Sequence, residues 1–331
     1  MFSYALNSIF RLLRNGWNIW FVSLRICHSH NSTRLEIGII RFYKILLPGR
    51  LFDDAAGTIL FSVNDSLVKW TVLKMPGNDN LFMVVFLRGT FMCFIIAMVL
   101  AFQGKLRWGH IFKPSALHGR GLIEVGLTCS FLTSILMLPI TDVYTILLTA
   151  PLMITASGVF FFRERVGWRE WLAVMTGFFG VMIVVWPDDM GWKLAYALPL
   201  FATVMIVFRE VYTKRLPHHY SGLEIVLITG LLLTIAAGFA SIPYWQTPDW
   251  SILFPILGAT LAVTVAHVMT VLTVRLAPLS VTSPGRYSII IFGAISAFII
   301  LQEAPSTGTI IGSIIVISSG LFLLGLEKQK S

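Results

Sequence analysis

After residue 50 the chain alternates between long apolar stretches and short polar breaks. Ten stretches stand out, at about 51–71, 80–102, 119–138, 141–162, 169–186, 190–213, 222–243, 251–274, 279–300 and 307–325. A helix of about 20 residues crosses a ~30 Å hydrocarbon core at ~1.5 Å per residue, so each is read as a membrane span. The breaks carry turn or charge signals: Pro76-Gly77-Asn78, the polar run from Lys105 to His118, Arg163-Glu164-Arg165, Pro187-Asp188-Asp189, Pro217-His218-His219, Pro248-Asp249 and Ala304-Pro305. Strands of a membrane barrel would alternate apolar and polar residues. Runs such as Leu231-Leu232-Leu233 do not, so the pattern predicts an all-α integral membrane protein.

Composition agrees with the pattern. Hydrophobic residues make up 56% of the 331 and charged residues only 12%, about half of what a water-soluble surface carries. That excludes a soluble enzyme and intrinsic disorder. Cys27, Cys93 and Cys129 form no CxxC pair, so neither a disulfide framework nor a zinc site is expected. No GxxxxGK[ST], HExxH or GxSxG occurs, which removes the usual motifs of ATP use, zinc hydrolysis and serine hydrolysis. No catalytic residue, metal or cofactor is therefore expected, and the chain is not read as an enzyme. His218-His219 is too thin for a metal site.

The net charge of +9 could suggest nucleic acid. Its distribution gives a different account. With a cytoplasmic N-terminus and ten spans, twenty of the 25 basic residues fall on cytoplasmic segments and three, Lys69, Lys74 and Lys193, outside. Arg88 and Arg286 fall within spans. Basic residues are enriched on the cytoplasmic side of membrane proteins, so the chain is expected in the cell inner (cytoplasmic) membrane as a multi-pass protein. Both termini are then cytoplasmic, lipid is a partner, and nucleic acid is not.

Residues 138–186 align without a gap on residues 277–325, at a constant offset of 139. Leu138-Pro139-Ile140-Thr141 lies over Ala277-Pro278-Leu279-Ser280, and Glu164 over Glu303. Five spans per repeat is an odd number, so the second copy must be inverted. The expected organisation is a basic cytoplasmic leader at 1–50, repeats at 51–187 and 188–326, and a tail at 327–331. The leader has apolar pieces at 17–22 and 37–47, too short to span. It reads as a segment lying partly on the anionic inner leaflet, or as the product of a misassigned start codon. Inverted repeats are an architecture of secondary transporters, with the substrate near the midplane between the halves.

Several stretches resemble a known family. Ten spans in two inverted halves, together with Phe161-Phe162-Arg163-Glu164-Arg165-Val166-Gly167-Trp168, resemble the EamA branch of the drug/metabolite transporter superfamily. Asn64-Asp65-Ser66-Leu67-Val68-Lys69-Trp70 and Phe86-Leu87-Arg88-Gly89 are similar to its first two helices. Arg286-Tyr287-Ser288 is similar to the subset that includes riboflavin and S-adenosylmethionine carriers. The resemblance covers about residues 52–326 and implies two EamA repeats and a vitamin- or nucleotide-like substrate. Among these riboflavin leads, on aromatic richness. S-adenosylmethionine, or an amino-acid or drug-type metabolite, is the alternative, and an intramembrane enzyme or lipid-handling scaffold the more remote one. Gln302-Glu303 departs from the family's usual Gly-Glu.

Charges inside the bilayer mark candidate sites, because each costs roughly 2.5–3.5 kcal/mol at the centre on insertion scales. Asp65 and Arg88 both lie about 21 Å from the inner ends of their spans by helix rise. They are read either as a structural ion pair or as a substrate-binding pair. Arg286 follows Pro284-Gly285, a helix-weakening dipeptide, and has uncharged Leu147 as its repeat counterpart. It is read as substrate-binding, or else as a partner of Glu124. Glu124 and His267, at roughly 8 and 10 Å, are proton-coupling candidates. Most aromatics read as interfacial belt residues, but Tyr144 and Tyr287 have polar neighbours and could stack on a flat ring. The small faces at Gly308/Gly312 and Gly177/Gly180 either pack helices or form a homodimer. A reporter fused after Lys328 should be active in the cytoplasm; periplasmic activity would overturn the ten-span reading.

Overall fold

Apolar runs without alternation have one stable form in lipid, the helix, which satisfies its own backbone groups. In the computed structural model the described residues are 50–75, 80–106, 109, 116–153, 167–186, 194–217, 220–276 and 287–330, and every regular element among them is helical. The chain divides into two units, Met1–Pro48 and Gly49–Ser331, and the described residues belong to the second. Expectations for the leader, Glu164, His218-His219 and Pro284-Gly285-Arg286 lie outside the described residues.

The helices are α1 Arg50–Lys74, α2 Leu81–Phe102, α3 Ala116–Met137, α4 Ile140–Leu147, α5 Trp168–Val185, α6 Ala197–Arg215, α7 Gly222–Ser241, α8 Trp250–Leu276, α9 Ser288–Ser296 and α10 Thr307–Lys330. Local sequence explains several ends. Ser221 caps α7, accepting from the Glu224 amide at 3.1 Å while Glu224 accepts from the Ser221 amide at 2.7 Å. Glu170 returns in the same way to the Gly167 amide before α5. The regular part of α4 is interrupted after Leu147 and helix resumes at 150–153; the rest of the expected 141–162 span lies outside the described residues. Pro151 lies four residues on, has no amide hydrogen to give the Leu147 carbonyl, and its ring crowds that carbonyl. α9 runs on as a π-helix over Ala297–Leu301 and is stopped by Gln302. Gln302 has φ 59°, the left-handed conformation that Gly adopts most easily, at the position where the resembled family carries Gly.

Among the described residues, six helical stretches are long and apolar enough to cross a membrane: Leu81–Phe102, Ala116–Met137, Trp168–Val185, Leu194–Thr213, Gly222–Tyr244 and Trp250–Val271. α2 shows why. It buries Met83, Val84, Ile96 and Leu100 yet exposes Phe94 and Phe102, so it is apolar all round. Shorter apolar helices cover Ile140–Met153, Ser288–Leu301 and Thr307–Leu323. α1 is not among either group. Asn64, Asp65 and Lys69 lower its hydropathy, but all three are buried against other helices instead of facing lipid. The chain is a multi-pass membrane protein.

The principal helix contacts are α5 with α10, α1 with α8, α2 with α7, α3 with α6, α3 with α7, α1 with α9 and α2 with α8. α4 also meets α9 and α6. Exchanging each helix for the one five places along maps these pairs onto one another, whereas the α7–α8 contact has no counterpart of similar extent among the described residues.

The small-residue faces serve the α5–α10 contact. A Cβ on Gly180 would meet the Gly312 carbonyl oxygen at 2.9 Å, and one on Gly312 would meet the Gly180 carbonyl oxygen at 2.6 Å. The two backbones are in direct contact, so the faces expected for helix packing or a homodimer are used within one chain. Gly312→Ala should lower the melting temperature in detergent, by an overpacking penalty of roughly 1–3 kcal/mol. Gly258→Ala is the control, since its Cβ would make an ordinary 3.6 Å contact with Leu67. Equal melting of the two variants would contradict this packing.

Candidate functional site

Midway along the bundle, α1, α2 and α4 bring four buried polar side chains together. Arg88 donates from Nη1 to Asn64 Oδ1 at 2.9 Å. Asn64 donates from Nδ2 to Asp65 Oδ1 at 2.7 Å. The Tyr144 hydroxyl donates to Asp65 Oδ2 at 2.7 Å. A guanidinium can only donate and a carboxylate can only accept, so the Asn64 amide has one consistent orientation. The expected equal depth of Asp65 and Arg88 does bring them into one network, but the link runs through Asn64. Asn64 carries no expected role in the sequence, because adjacency in sequence does not reveal a side chain's direction.

Toward the other end of the same space, α3, α6 and α8 contribute a second group. Glu124 Oε2 lies 3.5 Å from Arg120 Nη1, one helical turn away. Glu124 Oε1 lies 3.5 Å from Arg209 Nη1. Arg209 Nη2 lies 3.7 Å from Glu210 Oε1. Arg120 Nε donates to Thr213 Oγ1 at 2.9 Å, which fixes that guanidinium against α6. The partners of Glu124 among the described residues are therefore Arg120 and Arg209. Both were counted with the cytoplasmic loops, yet both lie within helices. The half-buried His267 ring stands edge-on to Phe61 at 5.3 Å.

These groups line one cavity of about 1140 Å³, counting its mouth. Asn64, Asp65, Arg88, Glu124, Tyr144, Arg209, Glu210 and His267 all contribute to its wall, with Phe61, Phe131, Leu132 and Ile289. The Phe131 and Tyr144 rings stack 6.3 Å apart and 8° from parallel. The wall thus combines guanidinium donors, carboxylate acceptors and aromatic faces. That set can hold a polar organic molecule with a flat ring.

Five of the seven expected site residues, Asp65, Arg88, Glu124, Tyr144 and His267, share this wall. Tyr287 is buried elsewhere, its hydroxyl lying over Gly320 of α10, where a Cβ would collide with it. Arg286 lies outside the described residues. No group of three His, Cys, Asp or Glu side chains among the described residues is placed to hold a metal ion.

No family model matches the chain. It is 24% identical over 273 residues to the S-adenosylmethionine uptake transporter of Rickettsia bellii, covering 81% of this chain and 90% of that one. It is 28% identical over 196 residues to the riboflavin transporter of Vibrio cholerae, covering 58% and 65%. The riboflavin transporter of Rhizobium johnstonii is 26% identical over 302 residues, covering 85% and 92%. A solved crystal structure superposes with a TM-score of 0.58 at 13% identity, over 83% of this chain and 98% of the other, a likeness of fold alone. These relatives are named as carriers of small metabolites, and they fit the drug/metabolite transporter resemblance read from the motifs.

Asn64→Leu removes a donor and an acceptor together, which leaves Arg88 and Asp65 each short of a partner. Such a buried loss costs roughly 1–3 kcal/mol per group. Thermal unfolding in detergent should show it as a lowered melting temperature. Unchanged unfolding of the single variant would show that the network holds nothing.

Proposed function

We propose that the chain is a secondary transporter that moves a small vitamin- or nucleotide-like metabolite across the cell inner (cytoplasmic) membrane by alternating access. It would have ten spans in two inverted five-helix repeats, 51–187 and 188–326, with both termini cytoplasmic. The observation that carries this reading is the cavity, whose polar wall draws on α1–α4 from one half and α6 and α8 from the other, with Ile289 of α9 beside them. The two-repeat organisation is supported by the self-mapping helix contacts. It is supported also by the starts of α5 at Trp168 and α10 at Thr307, which reproduce the 139-residue offset. Placement of a binding site between inverted repeats suits rocking of one half against the other.

Riboflavin is the leading substrate. Its flat ring suits the Phe131–Tyr144 stack and Phe61. Its ring carbonyls suit Arg88, and its side-chain hydroxyls suit the carboxylates of Glu124 and Glu210. Arg286 belongs to the proposal on its sequence context. Tyr287, being packed on α10, would act by holding that segment. A second reading, S-adenosylmethionine, is favoured by the three carboxylates in the wall, Asp65, Glu124 and Glu210, which suit a sulfonium and an ammonium group.

Proteoliposomes holding the purified protein should accumulate labelled riboflavin, with excess unlabelled riboflavin competing and S-adenosylmethionine not. Uptake of S-adenosylmethionine alone would select the second reading. Uptake of neither by correctly inserted protein would remove both.

A further inference from the structure

At the end of the bundle away from Glu124, the two halves are tied by a compact set of polar contacts outside the cavity wall. Lys69, near the end of α1, is buried at 4% exposure. Its ammonium lies 2.6 Å from Glu303 Oε1. It also donates to the Leu138 carbonyl at 2.9 Å. The other oxygen of Glu303 accepts the Ile140 amide at 3.4 Å. The ion pair therefore brackets Pro139, the turn between α3 and α4. Two residues further, Asp142 accepts from the Tyr196 hydroxyl at 2.9 Å and from the Thr309 hydroxyl. Thr145 and Ser313 share a hydroxyl bond of 2.8 Å. Glu303, Tyr196, Thr309 and Ser313 come from the second half, and all hold the first turns of α4.

We propose that Lys69, Glu303 and the Leu138–Ile140 turn form a latch that closes this end of the cavity, and that releasing it opens the cavity to this face. The inference rests on the alternating-access reading. The latch is connected to the site by α4 itself. Tyr144 is one turn beyond Ile140 and reaches Asp65 from the same short helix. A shift of α4 that parts Ile140 from Glu303 also draws the Tyr144 hydroxyl off Asp65. A solute that replaces Tyr144 as the donor to Asp65 would in turn loosen the latch. At the opposite end the ion pairs among Arg120, Arg209, Glu124 and Glu210 are longer, 3.5 to 3.7 Å, beside a short bond from Arg120 Nε to Thr213 Oγ1 at 2.9 Å that joins α3 to α6.

The test reads accessibility and needs no solute. Thr128 lines the cavity on α3. Thr128→Cys, in a background with Cys27, Cys93 and Cys129 replaced, is labelled in vesicles by a membrane-impermeant maleimide applied to either face. With the latch intact, labelling should be slow from the Lys69 face. Removing one partner alone leaves a buried charge uncompensated and can prevent folding, whereas replacing both by apolar residues of similar size is usually tolerated. In Lys69→Met/Glu303→Met, labelling from the Lys69 face should rise on the order of tenfold, as a shifted two-state population would give, and labelling from the other face should fall. Thr309→Val, which removes one bond to Asp142 and no charge, should give a smaller rise and serves if the double variant does not insert. Unchanged labelling from the Lys69 face, or an equal rise from both faces, would overturn the latch. If labelling responds while neither riboflavin nor S-adenosylmethionine is taken up, the latch stands and the substrate reading fails. If uptake occurs and labelling does not respond, the latch alone fails.

Discussion

A charged or polar group held in lipid must find its partners inside the protein, and α1 is where this constraint acts most strongly. It is less apolar than the spans around it, yet its described polar side chains find partners inside the bundle. Thr58 bonds Ser288 at 2.8 Å and Ser66 bonds Ser296 at 2.9 Å. Both pairs are separated by 230 residues, so α1 and α9 run parallel in a fixed register. Asn64 and Asp65 are taken up by α2 and α4, and Lys69 by Glu303 and the α3–α4 turn. Moving α1 by one residue would break all of these at once. The apolar helices supply area, and α1 supplies the alignment.

The polar groups differ in how firmly they are held, and the difference follows position. At the Lys69 end the contacts are short and buried, and they join separate elements. Around Glu124 the ion pairs are longer, 3.5 to 3.7 Å, and Arg209 and Glu210 border the cavity, while Arg88 and Arg120 each keep one bond of 2.9 Å. Short pairing suits closure, because a buried charge with all its partners present has nothing to gain from moving. Loose pairing suits binding, because a solute then displaces less. The same residue types thus serve opposite ends by geometry alone.

Much of the architecture was legible from apolar run length, since a helix in lipid needs length and little else. The segments read at 80–102, 222–243 and 251–274 correspond closely to α2, α7 and α8. Departures have local causes. Pro151 breaks the regular helix at 148–149 inside an apolar run, a point that run length ignores. Arg120 and Arg209 were counted as loop charges because a charge near a span end is usually solvated; here Glu124 and Thr213 hold them inside. Lys69 was counted as an outer loop charge for the same reason. Depth along a helix could be computed from residue number, and it brought Asp65, Arg88, Glu124 and His267 to one cavity. Direction around the helix could not. Asn64 was therefore missed as the link, and Tyr287 was expected beside a solute when it packs on Gly320.

The first turns of α4 are tied at several points, which suits them to carry a signal between the two ends. α4 has eight residues of regular helix before the Pro151 break. Seven of them are buried, so it has little slack and can shift only as a unit. Asp142, Tyr144 and Thr145 meet separate partners from this one rigid piece, on α10, the segment before α6, and α1. Its Ile140 amide adds Glu303. Gly293 lets the Tyr144 ring lie directly on the α9 backbone, so even the ring's plane is set by the second half. A piece of structure with this many discrete partners has few intermediate positions. It either keeps all of them or exchanges them together, which is the behaviour an alternating cycle requires of its moving part.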